Sequence, residues 1–293
     1  MKNIRFRIFN QQFALKKLEE KVFKLLMQFS ALLIVSILLF ILYNIVKKGL
    51  PSLSWDMVSK IPEGGFYLGK EGGVLNAIIG SLYIVLGSLV FSICLSLPIV
   101  MYINFYLKKK SLYKEFCRFS YDILFGIPSI VYGAFGFIIM IYFGLKASLL
   151  GGIITVGMLI TPIMIRSIDE VARLIPKDLV EAPLALGATK FEMIKVLLKQ
   201  LLPGITTAVL LSIGRAIGDA ATVLFTAGYT DSIPTSLSQQ TATLPLAIFF
   251  QLGSPIEEVQ NRAYASALIL TIIVLILSLS ARYFSRKLSK NKI

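Results

Sequence analysis

The sequence predicts an all-α membrane protein with six transmembrane helices. Three observations carry this. Of the 293 residues, 56% are hydrophobic and only 16% are charged, a balance that soluble domains do not show. Several apolar runs approach the ~20 residues that cross a hydrocarbon core ~30 Å thick. The net charge of +14 sits at the ends of those runs, where membrane topology places it, and no aromatic-basic repeat of a nucleic-acid-binding kind accompanies it.

The spans are expected at 27–46, 74–103, 122–143, 148–165, 203–228 and 264–281. The first is full length and no small-residue cleavage site precedes it, so it reads as an anchor and not a removed signal. The second is long enough to tilt. "GIPSIVYGAFGF" (126–137) interrupts the third with Pro128 and with Gly126, Gly133 and Gly136. Broken backbone inside a membrane is tolerated where protein buries it or where it lines a cavity. Small residues that only ease helix packing explain the stretch equally well.

Loop charge sets the orientation. Residues 1–26 carry Lys2, Arg5, Arg7, Lys16, Lys17, Lys21 and Lys24 against Glu19 and Glu20. The loop 104–120 has Lys108, Lys109, Lys110, Lys114 and Arg118, and the tail holds Arg282, Arg286, Lys287, Lys290 and Lys292. The loops at 47–73, 144–147 and 229–263 are poorer in excess base, so both termini are expected in the cytoplasm. A basic arm of this kind usually anchors on the acidic inner leaflet, making membrane lipid a partner.

That orientation puts 166–202 in the cytoplasm. Asp178 with Glu181, and Thr189 with Glu192, have capping-box spacing, and Gly187 between them suits a left-handed helix end. Two short helices joined at Gly187 are expected, with Pro183 removing one bond from the first. The outer "TLPLAIFFQLG" (243–253) is too short to span and reads as interfacial or re-entrant.

The fifth span raises a question of charge. Arg215 and Asp219 stand in an apolar run, and each mid-membrane charge costs ~3 kcal/mol on insertion scales. Ser212, Arg215, Asp219, Thr222 and Thr226 step by three and four, the spacing of one polar stripe on a helix. Gly214 and Gly218 form a small-xxx-small pair that admits a neighbouring helix. One reading is an anion path: Arg215 attracts a tetrahedral oxyanion and Asp219 moderates the charge so that it can leave. The other is mutual neutralisation within the bundle.

Other chemistry is scarce. The chain has no His and two Cys, Cys94 and Cys117, which leaves no expected metal site, cofactor or nucleophile–base pair and argues against an enzyme. "GGFYLGKE" (64–71) begins like a phosphate-cradling loop, but Glu71 stands where Ser or Thr should hold Mg²⁺. A glycine-rich outer turn fits better.

"EAPLALGATK" resembles the Glu-Ala-x-x-x-x-Gly loop of ABC-importer permeases, and Glu181, Ala182 and Gly187 match its motif. Pro183 replaces the usual small residue. The Leu-Pro that closes the motif is absent, with Gln200 near its place and Pro203 shortly after. "GIPSIVYGAFG", "TPIMIRSIDEVARLIP", "GRAIGDAATVLFTAG" and "TLPLAIFF" resemble phosphate-importer permeases of the PstA type. Gly218, Asp219 and Ala220 stand where those usually have Gly-Glu-Thr. The resemblance spans about 74–285.

It implies a type I ABC-importer permease fold with cytoplasmic coupling helices in a loop at about 176–203. It further implies an organisation of basic arm (1–26), first helix and outer loop (27–73), transmembrane domain (74–285) and basic tail (286–293). The implied partners are a homologous PstC-type permease, an ATPase dimer and an extracytoplasmic phosphate-binding protein. The implied activity is ATP-driven phosphate import across the cell membrane, with ATP hydrolysed on the separate subunit. A permease for sulfate, molybdate or phosphonate is the alternative. A gradient-driven transporter using Asp219 as a proton or cation site, or an enzyme acting on lipid phosphates, fits less well.

Overall fold

A 48-residue helix opens the fold, far longer than the first expected span. The computed structural model of the chain describes residues 2–63, 71–108 and 111–289. The side chains of 2–15, 18 and 284–289, and the phosphate-loop-like stretch at 64–70, lie outside the described residues. Helix α1 (Lys2–Gly49) exposes its apolar residues on all sides from Val22 to Val46, as a helix in lipid does. Only its end is held: Lys48 sits over the Tyr264 ring at 4.8 Å, and a Cβ at Gly49 would lie 2.6 Å from the Tyr264 carbonyl oxygen.

A short helix α2 (Trp55–Ser59) and a two-residue hairpin, β1 (Pro62–Glu63) antiparallel to β2 (Glu71–Gly72), lead to the core. Helix α3 (Leu75–Met101) continues as a π-helical turn over Tyr102–Tyr106. Pro98, inside α3, withholds one backbone N–H and loosens the ladder just before that turn. Asn76, Ser81, Ser88, Ser92 and Ser96 face inward and buried, small enough for α6 and α8 to pack closely on α3.

The third expected span is two helices. Helix α4 (Leu112–Gly126) and α5 (Ser129–Tyr142) meet at a 101° bend. Ile127 and Pro128 are both extended, because the proline ring excludes the residue before it from helical backbone. The basic 104–120 segment is therefore largely the π turn and α4, not a loop.

Helix α6 (Leu149–Arg173) outruns the expected 148–165. The polar 166–173 stretch belongs to it. Helix α7 (Lys177–Ala185) buries none of its residues. Asp178 does not cap it: Pro176 is the residue before the first turn and Asp178 lies inside that turn, where its charge meets the helix dipole. Gly187 has φ +85° and turns the chain into α8 (Lys190–Ile217). There the capping box forms as expected: Thr189 Oγ1 accepts from the Glu192 N–H, and Glu192 Oε2 accepts from the Thr189 N–H at 2.8 Å. The second coupling helix is not separate, however; it runs unbroken into the fifth span.

A single turn α9 (Val223–Thr226) follows, then α10 (Leu244–Leu252) and the long α11 (Glu257–Ser289). Helix α10 is too short to span, as expected, and Leu244–Ala247 are buried. The main core lies between α3, α6 and α8, with α11 against them; a second cluster joins Met57, Val74, Leu244, Ala247 and Ile269. Among the described residues five helices are long and apolar enough to cross a membrane, and the bent α4–α5 pair makes a sixth.

Candidate anion site at the broken helix

The two interrupted stretches of sequence meet in space. Helix α8 stops at Ile217, with Gly218 as its closing residue, since glycine weakens a helix and Asp219 starts a competing turn. One oxygen of Asp219 accepts from the Thr222 N–H at 3.1 Å, the local bond by which Asp favours turns. Thr222 Oγ1 then donates to the Ser129 carbonyl at 3.2 Å, tying this turn to the first turn of α5. A Cβ at Gly133 would stand 2.8 Å from the Ala221 carbonyl oxygen, so glycine is what lets α5 approach. Tyr132 donates to the Leu124 carbonyl across the bend at 2.9 Å, and Arg215 lies within electrostatic reach of Tyr132.

The expected polar stripe does not exist as one helix face. Because α8 ends at Ile217, Asp219 and Thr222 lie on the turn and Thr226 on α9. Ser212, Thr222 and Thr226 are fully buried. Thr226 Oγ1 donates to the Thr222 carbonyl, and Ser212 Oγ has no hydrogen-bond partner among the described residues. Asp219 is half-buried and lines a small void with Ser81, Ala216 and Thr243. Arg215 alone is exposed.

Among the described residues no ion pair joins Arg215 to Asp219. Arg215 keeps an exposed guanidinium, without a carboxylate partner among those residues, on a helix apolar enough to span. The glycines around it differ. A Cβ at Gly214 or Gly126 would meet nothing within 4 Å, and one at Gly218 only the Gly214 carbonyl oxygen. Among the described residues no helix packs on those three, whereas Gly133 receives a close neighbour.

On the other side of the molecule Glu181, Ala182 and Gly187 are exposed on and after α7, with Leu174 and Leu186 at 80% and 89% exposure beside them.

Sequence reasoning missed one constellation. Asp169, in the stretch 166–202 expected in the cytoplasm, is 1% exposed. It is held by Arg118, Arg173, Tyr121 and Asn104. The available signal was spacing: Asp169 shares a helix face with Ile165, Ile168 and Ala172, all buried, and pairs with Arg173 four residues on.

A polytopic helical membrane protein with a broken span and an exposed apolar projection is the class that this fold and site define. Residues 95–290 match the family of binding-protein-dependent transport system inner membrane components, and the chain belongs to that family. Among its relatives, the phosphate transport system permease protein PstA of Yersinia pestis is 36% identical over 251 residues, covering 85% of this chain and 84% of that protein. The protein of the same name from Haemophilus influenzae is 31% identical over 280 residues, covering 94% and 96%. A chain of the MetNI methionine ABC transporter, solved facing inward, superposes with a TM-score of 0.57 at 19% identity, covering 73% of this chain and 95% of its own. That likeness is one of fold, the type I ABC-importer permease.

Proposed function

We propose that the chain is the membrane permease subunit of an ATP-driven importer that moves inorganic phosphate into the cell. The observation that carries this is the exposed Arg215 guanidinium, without a carboxylate partner among the described residues, one helical turn before the Asp219–Thr222 turn that bonds to the start of α5. An unneutralised charge in a spanning helix is costly unless it faces water or a ligand, and a guanidinium fork matches the oxygens of a phosphate. The PstA relatives, named as phosphate permeases, support phosphate over sulfate, molybdate or phosphonate.

In this reading Arg215 meets the anion. Asp219 shapes the turn beside it and lowers the net positive field, which keeps binding weak enough for release. Ser212, Thr222 and Thr226, being buried, act by holding that turn. The bare face of α8 at Gly214 and Gly218 receives a homologous PstC-type permease, which closes the path. Glu181, Ala182 and Gly187 seat α7 on one subunit of an ATPase dimer, and a phosphate-binding protein delivers substrate from outside. Both termini then lie in the cytoplasm of the cell membrane, with 74–285 as the transmembrane domain. ATP acts through the different affinities of the two conformations for nucleotide and cargo.

The test is labelled-phosphate uptake by the co-expressed system, with Arg215→Gln beside the unmodified chain and membrane abundance and ATPase co-purification checked for both. Uptake should fall at least tenfold with assembly intact. Undiminished uptake removes Arg215 from the path. If the unmodified complex ignores phosphate, competition with sulfate, molybdate and phosphonate identifies the anion instead.

A further inference from the structure

Asp169 closes a hydrogen-bonded network that ties three segments together. Its Oδ1 accepts from Asn104 Nδ2 at 2.6 Å and Arg118 Nη2 at 3.1 Å; its Oδ2 accepts from the Tyr121 hydroxyl at 2.6 Å, Arg118 Nε at 3.2 Å and Arg173 Nε at 2.8 Å. The donors bond one another as well: Arg118 Nη2 reaches Asn104 Oδ1, and Arg173 Nη2 reaches the Tyr121 hydroxyl, both at 3.1 Å. Asn104 belongs to the π turn, Arg118 and Tyr121 to α4, and Asp169 and Arg173 to α6.

The place of this network matters more than its strength. Only Leu174–Pro176 separate Arg173 from α7, the exposed knob. Helix α7 buries nothing, so its movement leaves through its two roots, the end of α6 and the start of α8. At the first root the Asp169 carboxylate grips α4. Eight residues after Arg118, α4 ends at Gly126 and turns through 101° into α5, whose first turn accepts a hydrogen bond from Thr222 in the turn that follows Arg215. Nearby, Arg166 reaches Asp122 at 3.7 Å and Glu170 at 3.4 Å, but all three are about half exposed, and solvated pairs hold little. The buried carboxylate is the stiff link.

We propose that Asp169 is a positioning residue that transmits displacement of α7 to the α4–α5 bend, coupling the nucleotide state of the assembly to the anion site. This rests on the reading of the chain as an ATP-driven permease. Two readouts on the full complex in liposomes separate them: ATP hydrolysed per phosphate imported, and thiol labelling at Gly126→Cys in a Cys94→Ala, Cys117→Ala background, with and without a non-hydrolysable ATP analogue. The second needs no assumption about the cargo.

Asp169→Asn should co-purify with the ATPase, keep the KM for phosphate, raise ATP consumed per phosphate at least tenfold and abolish the nucleotide-dependent change at position 126. Tyr121→Phe, which removes one hydrogen bond and strands no charge, should raise the ratio about two- to fourfold. Arg166→Gln should leave it unchanged. Unaltered labelling and unaltered stoichiometry in Asp169→Asn overturn the inference; if that variant does not assemble, Tyr121→Phe decides by the same readouts. An unmodified complex whose labelling ignores nucleotide also overturns it, while its uptake judges the proposed function separately.

Discussion

Two glycines in spanning helices offer a controlled comparison of packing against propensity. Gly80 on α3 faces the strand of chain before α10: a Cβ there would lie 2.1 Å from the Ala242 carbonyl oxygen and 2.3 Å from Thr241 Oγ1. That segment cannot easily yield. The Thr241 N–H donates to the Ala227 carbonyl at 3.0 Å, the Leu244 N–H donates to Ser81 Oγ at 2.8 Å, and Thr241 to Leu244 are all buried. Gly80→Ala must open the contact by roughly 1 Å, an overpacking that costs about 1–3 kcal/mol, and it strains the Ser81 bond, worth about 1 kcal/mol. Better helix propensity returns about 1 kcal/mol, so the net loss is about 2 kcal/mol. Gly214→Ala on α8 gains the same propensity against empty space. The two variants should differ by about 3 kcal/mol, which for a chain of this size is a gap of roughly 6 °C in Tm. Thermal unfolding of each purified chain in detergent, followed by size-exclusion of the soluble fraction, reads this directly. Equal Tm values would refute the close approach at Gly80 and with it the placement of α10 against α3.

The coupling loop gives two further expectations. Gly187→Val forces a β-branched residue to φ +85°, at a cost of about 1–2 kcal/mol; α7 should tilt and ATPase co-purification should fall severalfold at unchanged membrane abundance. Thr189→Ala removes the capping box, worth about 1 kcal/mol, and should speed amide exchange over 190–193 several-fold while leaving the buried turn at Leu197–Leu201 protected; uniform exchange along α8 would contradict an independent cap.

Much of the fold was legible because its signals are local. Apolar runs, Pro128, Gly187 and the Thr189–Glu192 pair act on their own neighbours, and each produced the span, break or turn that it should. The extensions were less legible: α6 continues to Arg173, and the helix capped at Thr189 runs unbroken into the fifth span, because polar helix ends carry no hydropathy signal. At the site, spacing misled. A three-and-four pattern from Ser212 to Thr226 fits one helix only if nothing interrupts it, and Gly218 followed by Asp219 interrupts it. The meeting of that turn with Ser129, 93 residues away in sequence, has no local signature at all.

The two acid–base settings in this chain show how burial sorts structural charge from functional charge. Asp169 looked ordinary in the sequence, yet every lone pair facing its neighbours is used, and two arginines converge on it. Such a group has nothing left to offer a ligand; removing it leaves Arg118 and Arg173, both partly exposed, without their shared carboxylate. Arg215 looked paired, yet it keeps its guanidinium free of carboxylate partners among the described residues. A spanning helix has no structural use for such a charge, because Leu at that place would insert at lower cost. The first arrangement transmits force because it is saturated. The second is left open to an anion, and α4 and α5, on either side of one bend, are the elements that the two arrangements touch: the Asp169 network holds α4, and the turn after Arg215 bonds to α5.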